Sequence, residues 1–206
     1  MMNSAYFRNK AWEQLSHQWG TAVLFTLVYL LISVAVSTAA EVIPFVGAVL
    51  SIVVALGLYP MIYSYGVAFL DNLRSGKAIN IDSLFVGYKE WSRIVTTYFL
   101  MNLYAFLWTL LLIVPGIIKA IEYSQVPFIL RDNPELSDNV AIEKSMAMMQ
   151  GHRWQYFKLQ FSFIGWWLLV LVTFGVAILW VQPYVWAACA NFYESLKADS
   201  DKQIEE

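Results

Sequence analysis

Hydrophobic residues in this chain gather into three long blocks separated by polar, basic segments. The first runs from Gly20 to Leu70 and holds one charge, Glu41. The second runs from Ile94 to Leu130 and holds Lys119 and Glu122; the third, from Leu159 to Tyr193, holds none. A helix needs about 20 residues to cross a bilayer. Each block is too long for one crossing and suits a hairpin of two. The pattern therefore predicts helices over 20–40, 44–71, 93–113, 116–131, 154–173 and 176–196. Turn signals fall where the hairpins need them, at Glu41 to Pro44, Pro115-Gly116 and Thr173 to Gly175. The fourth helix is the shortest and carries both charges of its block. A tilted or partly re-entrant course there requires other helices to cover its backbone.

Basic residues flank every block. Arg8 and Lys10 precede the first, and Arg74 and Lys77 follow it. Arg93 and Arg131 bracket the second; Arg153 and Lys158 precede the third, and Lys197 and Lys202 follow. The positive-inside rule puts all these flanks, and both termini, in the cytoplasm. The expected fold is all-α: a polytopic membrane bundle of about six transmembrane helices in three hairpins, with short interfacial amphipathic helices. It forms one domain, 1–198, with units at about 5–74, 80–133 and 137–197, and a frayed polar tail at 199–206.

Composition strengthens this picture. Hydrophobic residues make up 59% and charged residues 14%, against roughly half and a quarter in soluble proteins. Trp, Tyr and Phe number 9, 12 and 13, and aromatic rings collect at membrane interfaces. A net charge of -2 with no basic stripe argues against nucleic acid. The single cysteine, Cys189, excludes an internal disulfide. Residues 1–19 do not read as a secretory signal. Zinc motifs, phosphate-binding glycine loops and nucleophile elbows are absent from the sequence, so neither enzymatic activity nor a cofactor is expected.

An amphipathic stretch precedes each hairpin. Ile81, Leu84, Phe85 and Tyr88 fall on one helical face behind Asn80 as N-cap. Ser137 is placed to cap a helix presenting Ala141, Ile142, Ser145 and Met149; Ala11, Trp12, Leu15 and Trp19 form a less regular version. Such helices can lie in the headgroup plane. Each ends alike, at His17-Gln18-Trp19, Lys89-Glu90-Trp91 and His152-Arg153-Trp154, and Trp19, Trp91 and Trp154 are the expected interface anchors. Pro60 to Arg74 also aligns without gaps with Pro183 to Lys197. This is either a threefold parallel repeat or independent selection for the same anchors.

Several segments resemble a bacterial family of integral membrane proteins known as domain of unknown function 975. They are Ile113-Val114-Pro115-Gly116-Ile117-Ile118-Lys119-Ala120, Tyr123 to Leu130 with Asp132-Asn133-Pro134, Met149 to Trp154, and Phe161 to Trp166. The resemblance covers most of the chain beyond about residue 80 and is loose before it. It implies a bacterial cytoplasmic-membrane protein and brings no activity.

Three groups of residues are candidates for function. Lys119 and Glu122 stand at i and i+3 within a hydrophobic block, with Gln125 one further turn on. Charge within a membrane is costly, by roughly 3 kcal/mol on insertion scales. Lys119 lies just past Pro115-Gly116, at the expected start of a helix, where anions are attracted. It either serves an anion such as a lipid phosphate or snorkels to the interface beside Glu122. Pro60, Pro115, Gly116 and Pro183 are hinge candidates, or else fixed kinks that shape the bundle. His17, His152 and the run Met146, Met148, Met149 lack metal-ligand spacing and read as interface and packing residues. The leading expectation is a non-enzymatic membrane protein that binds, senses or moves a lipid or amphiphile. The rival is an accessory or immunity-type protein that docks onto another membrane protein or a second copy of itself.

Overall fold

The computed structural model describes residues 3–41 and 47–205, with side-chain surroundings over 3–38 and 52–200. The expected turn at Glu41 to Pro44 thus falls largely outside the described residues. All regular structure described is helical: α1 (Ser4–Leu15), α2 (Trp19–Glu41), α3 (Gly47–Ser75), a 3-10 helix (Ile81–Glu90), α4 (Trp91–Leu111), α5 (Ile113–Glu122), α6 (Val126–Asp132), α7 (Asp138–Met148), α8 (Arg153–Phe161), α9 (Ile164–Val172) and α10 (Ile178–Glu205). Four stretches among the described residues are long and apolar enough to cross a membrane: Trp19–Thr38, Ile52–Ser75, Ile81–Leu111 and Ile113–Asp132.

Exposed residues tell the same story as the blocks. Leu31 on α2, Phe106 on α4 and Leu171 on α9 are more than half exposed, and the α4–α5 tip from Leu110 to Val114 is apolar throughout. Apolar surface of this extent is the mark of a membrane or protein contact face. Rings fill the interior instead. Phe25 stacks on Tyr65 at 5.3 Å, and Phe69 meets both edge-on.

Three expectations are corrected. The fourth predicted helix, 116–131, starts three residues earlier and breaks at Tyr123 to Gln125 into α5 and α6. The fifth, 154–173, breaks at Ser162-Phe163 into α8 and α9. The tail is not frayed at 199: α10 stays helical through Glu205.

The amphipathic stretches bury their apolar faces in the bundle to different extents. Ala141, Ile142 and Ser145 of α7, with the following Met149, are all buried, as that pattern requires. In α1 the buried face is Phe7, Ala11 and Leu15, while Trp12, expected on that face, is half exposed. Residues 81–90 wind as a 3-10 helix, whose side chains align every three residues. Of its predicted apolar face only Leu84 is buried. Asn80 caps it, accepting from the Asp82 amide at 3.4 Å. Gly87 lets this segment touch α3: its amide donates to Ser64 Oγ at 2.7 Å, and a β-carbon there would strike the Pro60 carbonyl.

The last turns of α3 and α6 meet α10 around Glu194 and Lys197, and their charges interlock. Arg131 pairs with Asp71 at 3.0 Å. Arg74 pairs with Asp132 at 2.5 Å and with Glu194 at 2.6 Å, and Lys197 reaches Asp132 at 2.8 Å. Beside them α1 is tied down by amides. Gln14 donates to Asn72 Oδ1 at 2.9 Å, and Asn191 donates to Gln14 Oε1 at 2.8 Å.

Candidate functional site

The break between α5 and α6 has an identifiable cause. Pro127 has no amide hydrogen and cannot continue the α-helical ladder. The Val126 amide turns back to the Tyr123 carbonyl at 3.1 Å instead of reaching Glu122. The Glu122 carbonyl is thereby left without its usual donor, and the Ser145 hydroxyl of α7 supplies one at 2.5 Å. Irregular backbone at membrane depth is tolerated only where protein covers it or a cavity adjoins it. Both conditions hold here: α7 covers one side, and Tyr123, Ser124 and Pro127 line a cavity on the other.

That cavity encloses about 370 Å³ between α3, α4, the α5–α6 break, α8 and α10. Its walls are mostly apolar, including Ile62, Met101, Val185 and Trp186. The polar groups in them are all uncharged: the phenols of Tyr98, Tyr123 and Tyr156, the Ser124 hydroxyl, the amides of Asn102 and Gln160, and the Cys189 thiol. Gln160 Nε2 donates to Cys189 Sγ at 3.3 Å, which fixes the two on facing helices. Asn102 and Ala120 are exposed and mark the mouth. Among the described residues, two buried side-chain polar atoms lack a hydrogen-bond partner, Tyr98 Oη and Gln125 Oε1. Tyr98 belongs to the cavity wall. Gln125 lies directly behind it and donates to Ser124 Oγ at 2.7 Å. An unsatisfied buried group costs about 1–3 kcal/mol, so one on the cavity wall and one bonded to the wall residue Ser124 call for an explanation other than stability.

Lys119 and Glu122 do pair, Nζ to Oε2 at 2.7 Å, but the surroundings differ from those expected. Glu122 is almost fully buried and takes a second cation, Arg153, on its other oxygen at 2.8 Å. Lys119 also lies 5.5 Å over the Trp108 ring and contacts Met146 Sδ at 3.4 Å. Because α5 begins at Ile113, Lys119 occupies its last turn rather than its start. A cation is favoured at that end of the helix dipole. The argument for an anion at Lys119 therefore loses its basis: the lysine, its carboxylate, a ring and a helix end satisfy one another, and none of the three charges lines the cavity.

The other candidates fall into place individually. Pro60 is buried inside α3; its carbonyl accepts from Ser64 at 2.7 Å, and one turn earlier the Gly57 carbonyl accepts from Tyr88 at 2.9 Å. Pro183 lies inside α10, near one wall of the cavity. Pro115 sits in the first turn of α5, and Gly116 is buried against Thr109, whose atoms a β-carbon would overlap. These last two set how closely α4 and α5 approach around the one-residue turn at Leu112. Trp91 and Trp154 are exposed, and Trp154 stacks on Phe157. Trp19 is half-buried and helps line a second, wholly apolar cavity of about 400 Å³ with Trp12, Trp166 and Trp180. His152 contacts Gln155 at 3.2 Å. No three His, Cys, Asp or Glu side chains among the described residues come together in a way that fits a metal.

Sequence reasoning missed the wall of the first cavity. The signal was present: Asn102 interrupts the apolar run of α4, and Pro127 follows Ser124-Gln125 within a single predicted helix.

The fold and site define a class, a helical bundle with apolar helices of membrane-spanning length and a mostly apolar internal cavity beside a broken helix. The chain belongs to the family described as protein of unknown function (DUF975), which matches residues 1–121 and 109–200. The match takes in the N-terminal third, where the sequence alone gave only a loose resemblance. No curated protein and no solved structure matches.

Proposed function

We propose that this is a non-enzymatic, multi-pass protein of the bacterial cytoplasmic membrane that binds a lipid or other amphiphile in the cavity beside the α5–α6 break. The carrying observation is the cavity itself. A space of about 370 Å³ lies within the ~300–1,000 Å³ range of small-molecule sites, which are mostly apolar with a few convergent polar groups. A discontinuous helix lines it, and such helices form the ligand sites of many membrane transporters. Its exposed mouth at Asn102 and Ala120 sits among apolar surface, so a ligand enters sideways from the bilayer.

The reading includes six crossings in three hairpins, with both termini in the cytoplasm. Packing of α2 on α3, α4 on α5 and α9 on α10 supports it. The clustering of Arg74, Arg131 and Lys197 at one end fits the positive-inside rule.

The test is native mass spectrometry of the gently extracted protein and of Ala105→Trp, which places an indole in the cavity. The wild type should carry one bound amphiphile and the variant none. Identical adducts on both, or none on either, would refute the reading.

A further inference from the structure

We infer that the cavity selects an uncharged amphiphile, a single hydrocarbon chain ending in a hydroxyl or ester group, and rejects ionic headgroups. The inference rests on the proposed binding role and specifies its ligand. Every polar group in the wall is neutral. The charged cluster on α5 lies outside the wall: Lys119 and Arg153 both bind Glu122, at 2.7 and 2.8 Å, and none of the three lines the cavity. An ionic headgroup entering the cavity would lose its hydration and meet no counter-ion, and an unpaired buried charge is far more costly than a hydrogen-bonded neutral group.

A hydroxyl or ester loses much less on desolvation, and this wall offers it partners. Tyr98 lines the cavity, and its phenol, buried in the wall, has no hydrogen-bond partner, so a ligand oxygen that works in beside the ring would gain a donor. The Asn102 amide stands at the mouth, its Nδ2 held by the Tyr98 carbonyl at 2.7 Å, which leaves its oxygen as an acceptor. The rest of the space is apolar. Its volume, at the low end for ligand sites, suits one chain rather than a whole diacyl phospholipid.

The experiment uses the full-length protein in zwitterionic-lipid nanodiscs and three probes with the same ten-carbon chain: monodecanoylglycerol, decyl phosphate and decyltrimethylammonium. Binding is measured by native mass spectrometry and by the rise in unfolding midpoint on titration. Partition into the bilayer is subtracted with Ala120→Trp, an exposed mouth position whose substitution leaves the core intact. We expect monodecanoylglycerol to bind about tenfold or more tightly than either ion. Tyr98→Phe should weaken it about fivefold, the effect of one hydrogen bond, without changing the weak binding of the ions. Ala120→Trp should abolish saturable binding of the neutral probe.

Equal or tighter binding of a charged probe, lost in Ala120→Trp, overturns the selectivity and leaves the binding role standing. Unchanged affinity in Tyr98→Phe overturns the role given to the phenol. No saturable binding by any probe overturns both this inference and the proposed function beneath it.

Discussion

Neutralising Lys119 should destabilise the protein more than neutralising Lys119 and Glu122 together. Glu122 has a side-chain exposure of 3%, while Lys119 and Arg153 are at 23% and 45%. At an effective dielectric of about 20, two charges ~4 Å apart attract by roughly 4 kcal/mol. Stripping a buried charge of its partner costs about 3–5 kcal/mol. In Lys119→Gln the carboxylate keeps Arg153, so a loss of about 2–3 kcal/mol is expected. In the double variant no buried carboxylate remains, and a cost near 1 kcal/mol is expected, because replacing both members of a buried pair is often almost neutral. A chain of this size loses roughly 2–4 °C in midpoint per kcal/mol. Thermal unfolding in one detergent, followed by tryptophan fluorescence, should therefore show Lys119→Gln lowest, at about 4–12 °C below wild type. The double variant should lie above it, with Glu122→Gln close to the double. Additive single effects, or a Lys119→Gln shift within about 2 °C, would refute the shared burial. Lipid retained on extraction should be unchanged in all three, since none of these residues lines the cavity; its loss in Lys119→Gln would restore the anion role that the helix end argues against.

Ser145→Ala removes the hydroxyl that serves the Glu122 carbonyl and should cost about 1–3 kcal/mol; chemical denaturation in mixed micelles measures it, and no change would mean another donor replaces it. Gly87→Ala drives a β-carbon into the Pro60 carbonyl and should cost about 1–3 kcal/mol, whereas Gly165→Ala, with open space around it, should be neutral in the same assay. In a Cys189→Ala background, a cysteine at Phe174 should react with an impermeant thiol reagent added to cells, and one at Gly76 should react only after lysis. Labelling of Gly76→Cys in intact cells would refute three hairpins with cytoplasmic flanks.

The helical class and the position of most spans were legible because hydropathy over some 20 residues is a summed signal that no single side chain can overturn. The breaks were not. Residues 116–131 have the composition of one helix, and only Pro127, acting through an amide it lacks, interrupts them. That effect is one hydrogen bond in size, and it is sustained by Ser145 from another part of the chain. Lys119 and Glu122 were found because charge in an apolar block is conspicuous. Their third partner, Arg153, was hidden by 31 residues of separation and by an ordinary position beside a Trp. The cavity was harder still. Tyr98, Gln160 and Cys189 come from three helices, and nothing local in their sequence says that their side chains converge.

The charges at the ends of α3, α6 and α10 bear on how the chain assembles as it is made. Each of these helices carries one acid and one base there: Asp71 with Arg74, Arg131 with Asp132, Glu194 with Lys197. When the first of these helices is complete its two charges wait for partners on the later two. The second brings Arg131 for Asp71 and Asp132 for Arg74, and the third adds Glu194 to Arg74 and Lys197 to Asp132. Arg74 and Asp132 thus each hold two ionic partners only once all three parts are present. A nascent bundle can therefore dock its parts in the order of synthesis, each step adding ion pairs to those already formed.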